Sequence, residues 1–146
     1  MSKLPVSIVC QISDYHCFPA CLVSYYNDLS LPLTQKEVVD RCPIAHAKGT
    51  KIEGALNLQR LSDVETEFTL SIAPILASLS FQHPQEAIFL FTFWKGKSSD
   101  FHCVRFAGQE NGRVFVMNPK NHSEIEEYDE VAFSRWIKLI TRVKKI

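Results

Sequence analysis

The chain has 146 residues, of which 46% are hydrophobic and 22% charged, a balance that excludes a disordered or fibrous protein and favours one globular domain over residues 1–146. Sixteen basic residues balance sixteen acidic ones, which argues against a nucleic-acid-binding surface and against a basic membrane-binding patch. No stretch has the length and apolar character of a signal peptide or a membrane-spanning helix, so we expect no intrinsic membrane segment.

The first half of the sequence has the pattern of helices. Apolar residues recur at helical spacing after Cys17, and Pro19 falls in the first turn, where a helix tolerates proline. Thr34 and Glu37 have the spacing of a capping box, and Thr50-Lys-Ile-Glu53 repeats it. Pro74 fits the first turn of one more short helix. Helices are therefore predicted over residues 17–27, 35–41, 51–61 and 71–79.

The second half has the pattern of short strands, because β-branched and aromatic runs alternate with turn signals. Lys95-Gly96-Lys97 and Glu110-Asn111-Gly112 are the predicted turns. Strands are predicted over residues 87–94, 101–107, 113–118 and 137–145, and a short helix over residues 128–136. Strands joined by short turns predict an antiparallel meander. A helical N-terminal half packed on a C-terminal antiparallel sheet is an α+β fold.

The five cysteines are odd in number and lack the spacing of a disulfide framework, which indicates a reducing, cytoplasmic compartment. Cys17 stands at the start of the first predicted helix. Free amides and the positive end of the helix dipole favour a thiolate there and lower the thiol pKa. Cys17 is therefore the candidate nucleophile, and a buried, inert cysteine is the alternative.

Three further residues complete a candidate site. Gln11 lies six residues before Cys17, across a polar segment, and its side-chain amide and the Cys17 backbone amide can together bind a negative oxygen. His102 lies in one predicted strand and Asn118 ends the next, so a hairpin brings them together. His102 would take the thiol proton, and the Asn118 oxygen would accept the other ring N–H. Taken singly, each of the three also fits an ordinary structural role.

At these residues the sequence resembles a known family. The order Gln11…Cys17-Phe-Pro-Ala-Cys21-Leu22 is similar to the Gln…Asp-Cys-Gly-x-Ala-Cys-Leu signature of the bacteriocin-processing, double-glycine leader peptidases, a bacterial branch of the papain-like cysteine peptidases. A strand at His102, an Asn118-Pro119 turn in place of Asp-Pro, and an acidic-aromatic segment ending in Trp136 extend the similarity over almost the whole chain. The resemblance implies a papain-like fold.

The resemblance also implies an activity. A thiolate at Cys17 would attack an acyl carbon, and the acyl-enzyme would be hydrolysed without a metal or an organic cofactor. His102 would be the base, Asn118 would orient it, and Gln11 would complete the oxyanion hole. The family's usual reaction is cleavage of a leader peptide after Gly-Gly, so the implied substrate is a peptide or an exposed protein segment.

The sequence departs from the family pattern at two places, and both weaken the inference of cleavage after Gly-Gly. The family's Asp-Cys-Gly is His16-Cys17-Phe18 here, and its Asp is Asn118. A bulky ring at Phe18 is expected to reshape the narrow cleft that accepts glycines. Cys21 competes with Cys17 as nucleophile, but its spacing from Gln11 favours a small buried residue instead.

Two minor expectations concern the same region. His16 is expected to face solvent in a loop, with modulation of the thiolate charge as the alternative. A zinc site built from His16, Cys21, His102 and Cys103 would follow no established zinc spacing, so no metal is expected.

The sequence is compatible with three functions. The first is a cysteine peptidase. The second is a papain-like glutamine deamidase or transglutaminase-type toxin or effector, which uses the same thiolate on a side-chain amide and could be delivered into a target cell. The third is a catalytically silent domain that binds a peptide. A transporter or immunity-type partner is left open in each case.

Overall fold

Helices and one antiparallel sheet make up the part of the chain that the computed structural model describes, which comprises residues 6–13, 16–41, 64–70, 86–121 and 123–145. None of the helices in these ranges has the length and apolar character that crossing a bilayer requires. The helices are α1 (Cys17–Asp28), α2 (Gln35–Arg41) and α3 (Glu130–Ser134), and the strands are β1 (Val64–Leu70), β2 (Glu86–Phe93), β3 (Phe101–Glu110), β4 (Arg113–Met117), β5 (Glu126–Asp129) and β6 (Ile137–Lys145).

The six strands form one sheet in the order β1-β6-β2-β3-β4-β5, and every neighbouring pair is antiparallel. Strands β2 to β4 form the predicted meander, and β5 extends it by one strand. Strand β6 returns to the free side of β2, and β1 pairs outside β6. Because α1 packs on this sheet, the predicted α+β fold is confirmed. The sequence did not predict β1 or β5.

The turn between β3 and β4 is a two-residue hairpin loop at Asn111 and Gly112. Their φ values are 52° and 75°, and Glu110 pairs with Arg113 across the loop. Positive φ at both central positions is the requirement of a type I′ turn, which matches the twist of the flanking strands, and Asn-Gly adopts it at low cost. This turn sets the register of β3 against β4 next to the loop, and an irregularity between Phe106 and Gln109 shifts that register before the far ends of the two strands.

The sheet is covered on both faces, and β2 shows this best because its first seven residues are all buried. Its side chains alternate between the two cores, as strand geometry requires. Phe89 and Phe91 join α1 in the first core, whereas Ile88 and Leu90 join Trp94 and α3 residue Phe133 in the second. The site described below lies where both cores reach the ends of β3 and β4.

An ion pair with a buried arginine ties the end of α1 to the sheet. Arg105 of β3 donates from Nη1 to Asp28 Oδ2 at 2.5 Å and to Ser24 Oγ at 2.8 Å, and only 7% of its side chain is exposed. The Ser7 backbone N–H and hydroxyl both donate to the other Asp28 oxygen, Oδ1. One carboxylate therefore joins helix, sheet and N-terminal segment.

The predicted helix over residues 128–136 is wrong at both ends. Tyr128 and Asp129 belong to β5, and only Glu130–Ser134 is helical. The reason is visible in the cap: the Asp129 carboxylate accepts the Ala132 N–H at 2.9 Å, so Asp129 ends the strand and starts the helix. The predicted helices over residues 51–61 and 71–79 and the Thr50 capping box lie outside the described residues.

Candidate active site

Cys17 is the first residue of α1, and it is buried, with 1% of its surface exposed. His16 precedes it at the N-cap position without a side-chain cap bond, and Pro19 occupies the first turn as predicted. Pro19 has no N–H, so it removes one of the amides that the start of a helix leaves without an internal acceptor. The candidate nucleophile thus lies at the positive end of the helix dipole.

His102 and Asn118 meet as the hairpin predicts. His102 is the second residue of β3, Asn118 directly follows β4, and His102 Nε2 lies 2.7 Å from Asn118 Oδ1. Both residues are buried, with 2% and 5% of their surfaces exposed. The edge of the Trp94 ring packs against the His102 ring at a centroid distance of 5.2 Å and an angle of 84°. Apolar surface therefore shields this contact from water.

The orientation of the Asn118 amide is determined from two sides. Its Oδ1 also accepts the Lys120 backbone N–H at 3.0 Å, and its Nδ2 donates to Glu126 Oε1 at 3.0 Å. Oδ1 is therefore an acceptor, and His102 Nε2 must be the donor that carries the proton. In the neutral ring this leaves the lone pair on Nδ1. The atom of His102 that can accept a proton is thus Nδ1.

Burial lowers the pKa of His102, and the charge of Lys120 adds to this effect. The hydrogen bond with Asn118 and the negative charges of Asp100 and Glu126 raise the pKa, but burial is the largest effect. Because the ordinary histidine pKa is about 6.5, His102 is neutral at pH 7. A neutral imidazole is the form that a general base requires.

This lowered pKa predicts a pH dependence of stability. The unfolded chain binds a proton at His102 more readily than the folded one, so the stabilisation is present above about pH 6.5 and is lost as the pH falls through the lower folded value. Urea unfolding from about pH 8 down to about pH 5 should show the wild type losing more free energy of unfolding than His102→Gln. Equal losses in the two proteins would contradict the shift. Burial also lowers the pKa of His16. The same measurement on His16→Gln therefore shows how much of the pH dependence comes from His16 and not from His102.

Gln11 is held beside the turn that follows Asn118. Its backbone N–H donates to the Pro119 carbonyl at 2.9 Å, and its side-chain Nε2 donates to the Ser13 carbonyl at 2.8 Å. Gln11 Oε1 is buried without a hydrogen-bond partner among the described residues. A primary amide carries two N–H groups, so one remains beyond the bond to Ser13. The predicted oxyanion residue is thus next to the Asn118 turn.

Gln35, which the sequence analysis did not single out, holds the same loop from α2. Its Oε1 accepts the Ile12 N–H at 3.1 Å, and its Nε2 donates to the Cys10 carbonyl at 2.9 Å. Gln35 is buried, with 9% of its surface exposed. These two bonds flank Gln11 and fix the backbone on either side of it. Nothing in the local pattern identifies this role, because it joins residues 23 and 25 positions apart.

Cys21 is a core residue, as expected. It is fully buried, its Sγ lies 3.9 Å from Cys103 Sγ, and its thiol donates to the Cys103 carbonyl at 3.6 Å. Burial raises the pKa of Cys103 well above its ordinary value, and the neighbouring Cys21 adds to the effect. The Cys103 thiol therefore stays protonated and unreactive. No group of three or more His, Cys, Asp or Glu side chains within the described ranges could hold a metal ion.

The expectation for Phe18 is wrong. Its ring is completely buried and packs against Phe89 and Phe91 of β2, with centroid distances of 5.9 and 5.7 Å. The side chain that follows the nucleophile therefore points into the first core and does not line a cleft. The reason is helix geometry: neighbouring side chains of a helix point about 100° apart, so the Phe18 ring does not point in the same direction as the Cys17 thiol.

Three other residues around His102 were not predicted from the sequence. Trp94 packs on its ring, Glu126 accepts from Asn118, and Tyr128 donates to the same Glu126 oxygen at 2.5 Å. The available signal was the acidic-aromatic segment after residue 123. That segment also has the pattern of a helix start. A helix was therefore predicted over the end of strand β5, and β5 is the strand that places Glu126 next to Asn118.

Solved structures share this fold. The peptidase domain of Streptococcus ComA, a bi-functional ABC transporter involved in a quorum-sensing pathway, aligns over 100% of both chains with a TM-score of 0.76 and 18% identity. A double-glycine-motif protease from an AMS/PCAT transporter, in complex with the leader peptide, aligns over 99% of this chain and 95% of its own, with a TM-score of 0.78 and 13% identity. A Bacillus anthracis protein described as a C39-like peptidase aligns over 99% of both chains, with a TM-score of 0.68 and 12% identity.

These similarities show that the chain has the papain-like fold of C39 peptidase domains, which confirms the fold that the sequence resemblance implied. No family model matches the sequence, and a search of curated proteins gave no match.

Proposed function

We propose that this chain is a cysteine peptidase that cleaves a peptide or an exposed protein segment, with Cys17 as nucleophile and His102 as general base. The observation that carries the proposal is the 2.7 Å contact between His102 Nε2 and Asn118 Oδ1. It assigns the ring proton to Nε2 and the lone pair to Nδ1, as general-base catalysis requires. The fold shared with C39 peptidase domains supports the same function.

The reaction follows from these roles. His102 Nδ1 takes the Cys17 thiol proton, and the thiolate attacks the scissile carbonyl carbon to form a tetrahedral oxyanion. The oxyanion collapses, the imidazolium gives its proton to the leaving amine, and an acyl-enzyme remains. Nδ1 then takes a proton from water, whose hydroxide attacks the thioester. Collapse of the second tetrahedral intermediate breaks the C–S bond and releases the acid, and the imidazolium returns its proton to the Cys17 thiolate. The Gln11 N–H beyond the Ser13 bond and the Cys17 N–H stabilise the oxyanion.

A leader-type peptide with a Gly-Gly site is the first substrate to test. The protease of similar fold from the AMS/PCAT transporter was crystallised with its leader peptide. Because the Phe18 ring lies in the core, the bulk at this position does not argue against a glycine-accepting cleft. A reducing, cytoplasmic setting is part of the proposal, because the nucleophile works only in its reduced form.

Mass spectrometry of a peptide and protein panel tests the proposal. Wild-type protein should cleave at least one peptide, Cys17→Ala should cleave none, and Cys21→Ala should still cleave, because Cys21 is a core residue on the same helix. Cleavage that survives Cys17→Ala would refute the proposal. A Cys17-dependent conversion of glutamine to glutamate on intact chains would instead identify a deamidase.

Alkylation provides a readout that needs no substrate. Cys10 is exposed and serves as the reference for a surface thiol, whereas Cys17, Cys21 and Cys103 are all buried. Iodoacetamide should nevertheless modify Cys17 faster than Cys21 or Cys103, because a thiolate reacts and a thiol does not. Equal modification of Cys17 and Cys103 would count against an activated nucleophile.

A further inference from the structure

The residue that orients His102 is neutral, yet a carboxylate lies one hydrogen bond behind it. Asn118 carries no charge, and its Nδ2 donates to Glu126 Oε1 at 3.0 Å. A base that becomes an imidazolium during the reaction gains from a nearby negative charge. We propose that Glu126 is a positioning residue that acts on His102 through the Asn118 amide and supplies the negative charge that Asn118 lacks. This inference rests on the function proposed above.

The Glu126 carboxylate is itself held in place. Its Oε1 also accepts the Tyr128 hydroxyl at 2.5 Å, and its Oε2 accepts Asn121 Nδ2 at 3.0 Å. Glu126 pairs with Val116 of β4, so the sheet brings it level with the strand end that leads to Asn118. Three donors therefore hold the carboxylate in one orientation, with Oε1 directed at the Asn118 amide.

The Tyr128 hydroxyl donates to Glu126, and its pKa is raised. Burial is the main cause of the increase, and Glu126 adds to it through the hydrogen bond and its charge. The Tyr128 ring packs against Trp94, Phe133 and Trp136 at centroid distances of 5.6, 5.5 and 5.5 Å. Trp94 also contacts His102. The same aromatic group thus shields His102 and anchors the donor that holds Glu126.

The charges around His102 set the sign of the effect. Among the charged groups near His102, Lys120 lowers its pKa, whereas Asp100 and Glu126 raise it. The proposed proton donor to His102 is the Cys17 thiol, which lies on α1. Removing the Glu126 charge should move the pKa of His102 further down. The imidazolium intermediate then costs more to form, so the reaction slows even though His102 and Asn118 are unchanged.

Glu126→Gln tests the charge, and Glu127→Gln is the matched control. Glu127 is the next residue of β5; half of its side chain is exposed, and it lies 3.9 Å from Arg113. We expect Glu126→Gln to lower kcat/KM about tenfold and to shift the His102 titration, followed by NMR, to lower pH. Glu127→Gln should change neither. A His102 titration that is the same in both variants would overturn the proposal, whether or not the chain is a peptidase.

A charge-exchange pair gives a second test. Asn118→Asp alone places two carboxylates within hydrogen-bond distance, so they compete for one proton and activity should fall at least about tenfold. Adding Glu126→Gln places an amide at position 126 that can donate to the new carboxylate at position 118, which then carries the charge itself. The double variant should be more active than Asn118→Asp. A double variant that loses the product of the two single losses would refute coupling.

The two proposals fail in different ways. Absence of both cleavage and selective Cys17 alkylation in the wild type would refute the peptidase, while the NMR titration of His102 would still test Glu126. Conversely, an active wild type whose activity and His102 titration do not respond to Glu126→Gln would leave the peptidase standing and refute the role of Glu126.

Discussion

Replacing His102 with glutamine is expected to lower kcat/KM for peptide cleavage by about 10²–10⁴-fold, the usual contribution of a general base. Glutamine retains a polar side chain near Asn118 but cannot take a proton from the Cys17 thiol. The second-order rate of Cys17 alkylation near neutral pH should fall as well, because the thiolate loses its partner. Both quantities are measured on the same preparations, and far-UV circular dichroism shows whether the fold is retained.

His16 provides the control for this experiment, because it is the other described histidine and directly precedes the nucleophile. Its Nδ1 contacts the Ser13 hydroxyl, and the residue is partly buried. His16→Gln should keep kcat/KM within about threefold of wild type, as a substitution that leaves the base in place. A loss as large as that of His102→Gln would make His16 the base, and activity retained in His102→Gln would exclude His102.

Replacing Asp28 with alanine is expected to lower the free energy of unfolding by about 3 kcal/mol, because it leaves the buried Arg105 guanidinium without its counter-charge. Burial already lowers the pKa of Arg105, and the Asp28 carboxylate opposes that shift. The substitution also removes the acceptor of both Ser7 bonds. Urea denaturation at neutral pH, followed by circular dichroism, measures the change.

Two variants show whether the unpaired charge is the cause. Glu127→Ala removes an exposed pair in which the two side chains are 50% and 44% exposed, and it should cost less than about 1 kcal/mol. Arg105→Met combined with Asp28→Ala removes both charges, so it should be less destabilised than Asp28→Ala alone. If the single and double variants lose the same stability, packing rather than charge explains the effect.

The two ends of α1 have different roles, one in the proposed reaction and one in stability. The first residue of α1 carries the proposed nucleophile, and its last residue carries the carboxylate that binds the sheet. Between these ends Cys21 contacts Cys103, which directly follows His102 along β3. The helix that presents the nucleophile is therefore joined to the strand that presents the base by a thiol contact and an ion pair.

Local rules were sufficient to predict several parts of the site from the sequence. Helix periodicity and the tolerated Pro19 predicted where α1 begins, and so predicted Cys17 at a helix start. The Asn111-Gly112 turn predicted the hairpin, and the hairpin predicted that His102 and Asn118 meet. The Thr34 capping box predicted α2 over residues 35–41, and the Glu37 N–H does donate to Thr34 Oγ1 at 3.1 Å. Each of these depends on residues close together in the chain.

The remaining features became visible only in the folded chain, because pairing between distant strands has no local signature. The insertion of β6 between β1 and β2 joins residues at least 45 positions apart, the shortest separation being that of Thr92 and Ile137. The direction of Phe18 depends on which helix face meets β2, and spacing alone does not specify that face. The role of Glu126 requires β5 to pair with β4, whereas the pattern of its own segment is equally typical of a helix start. Local chemistry thus predicted the candidate catalytic residues, and long-range packing decided what surrounds and positions them.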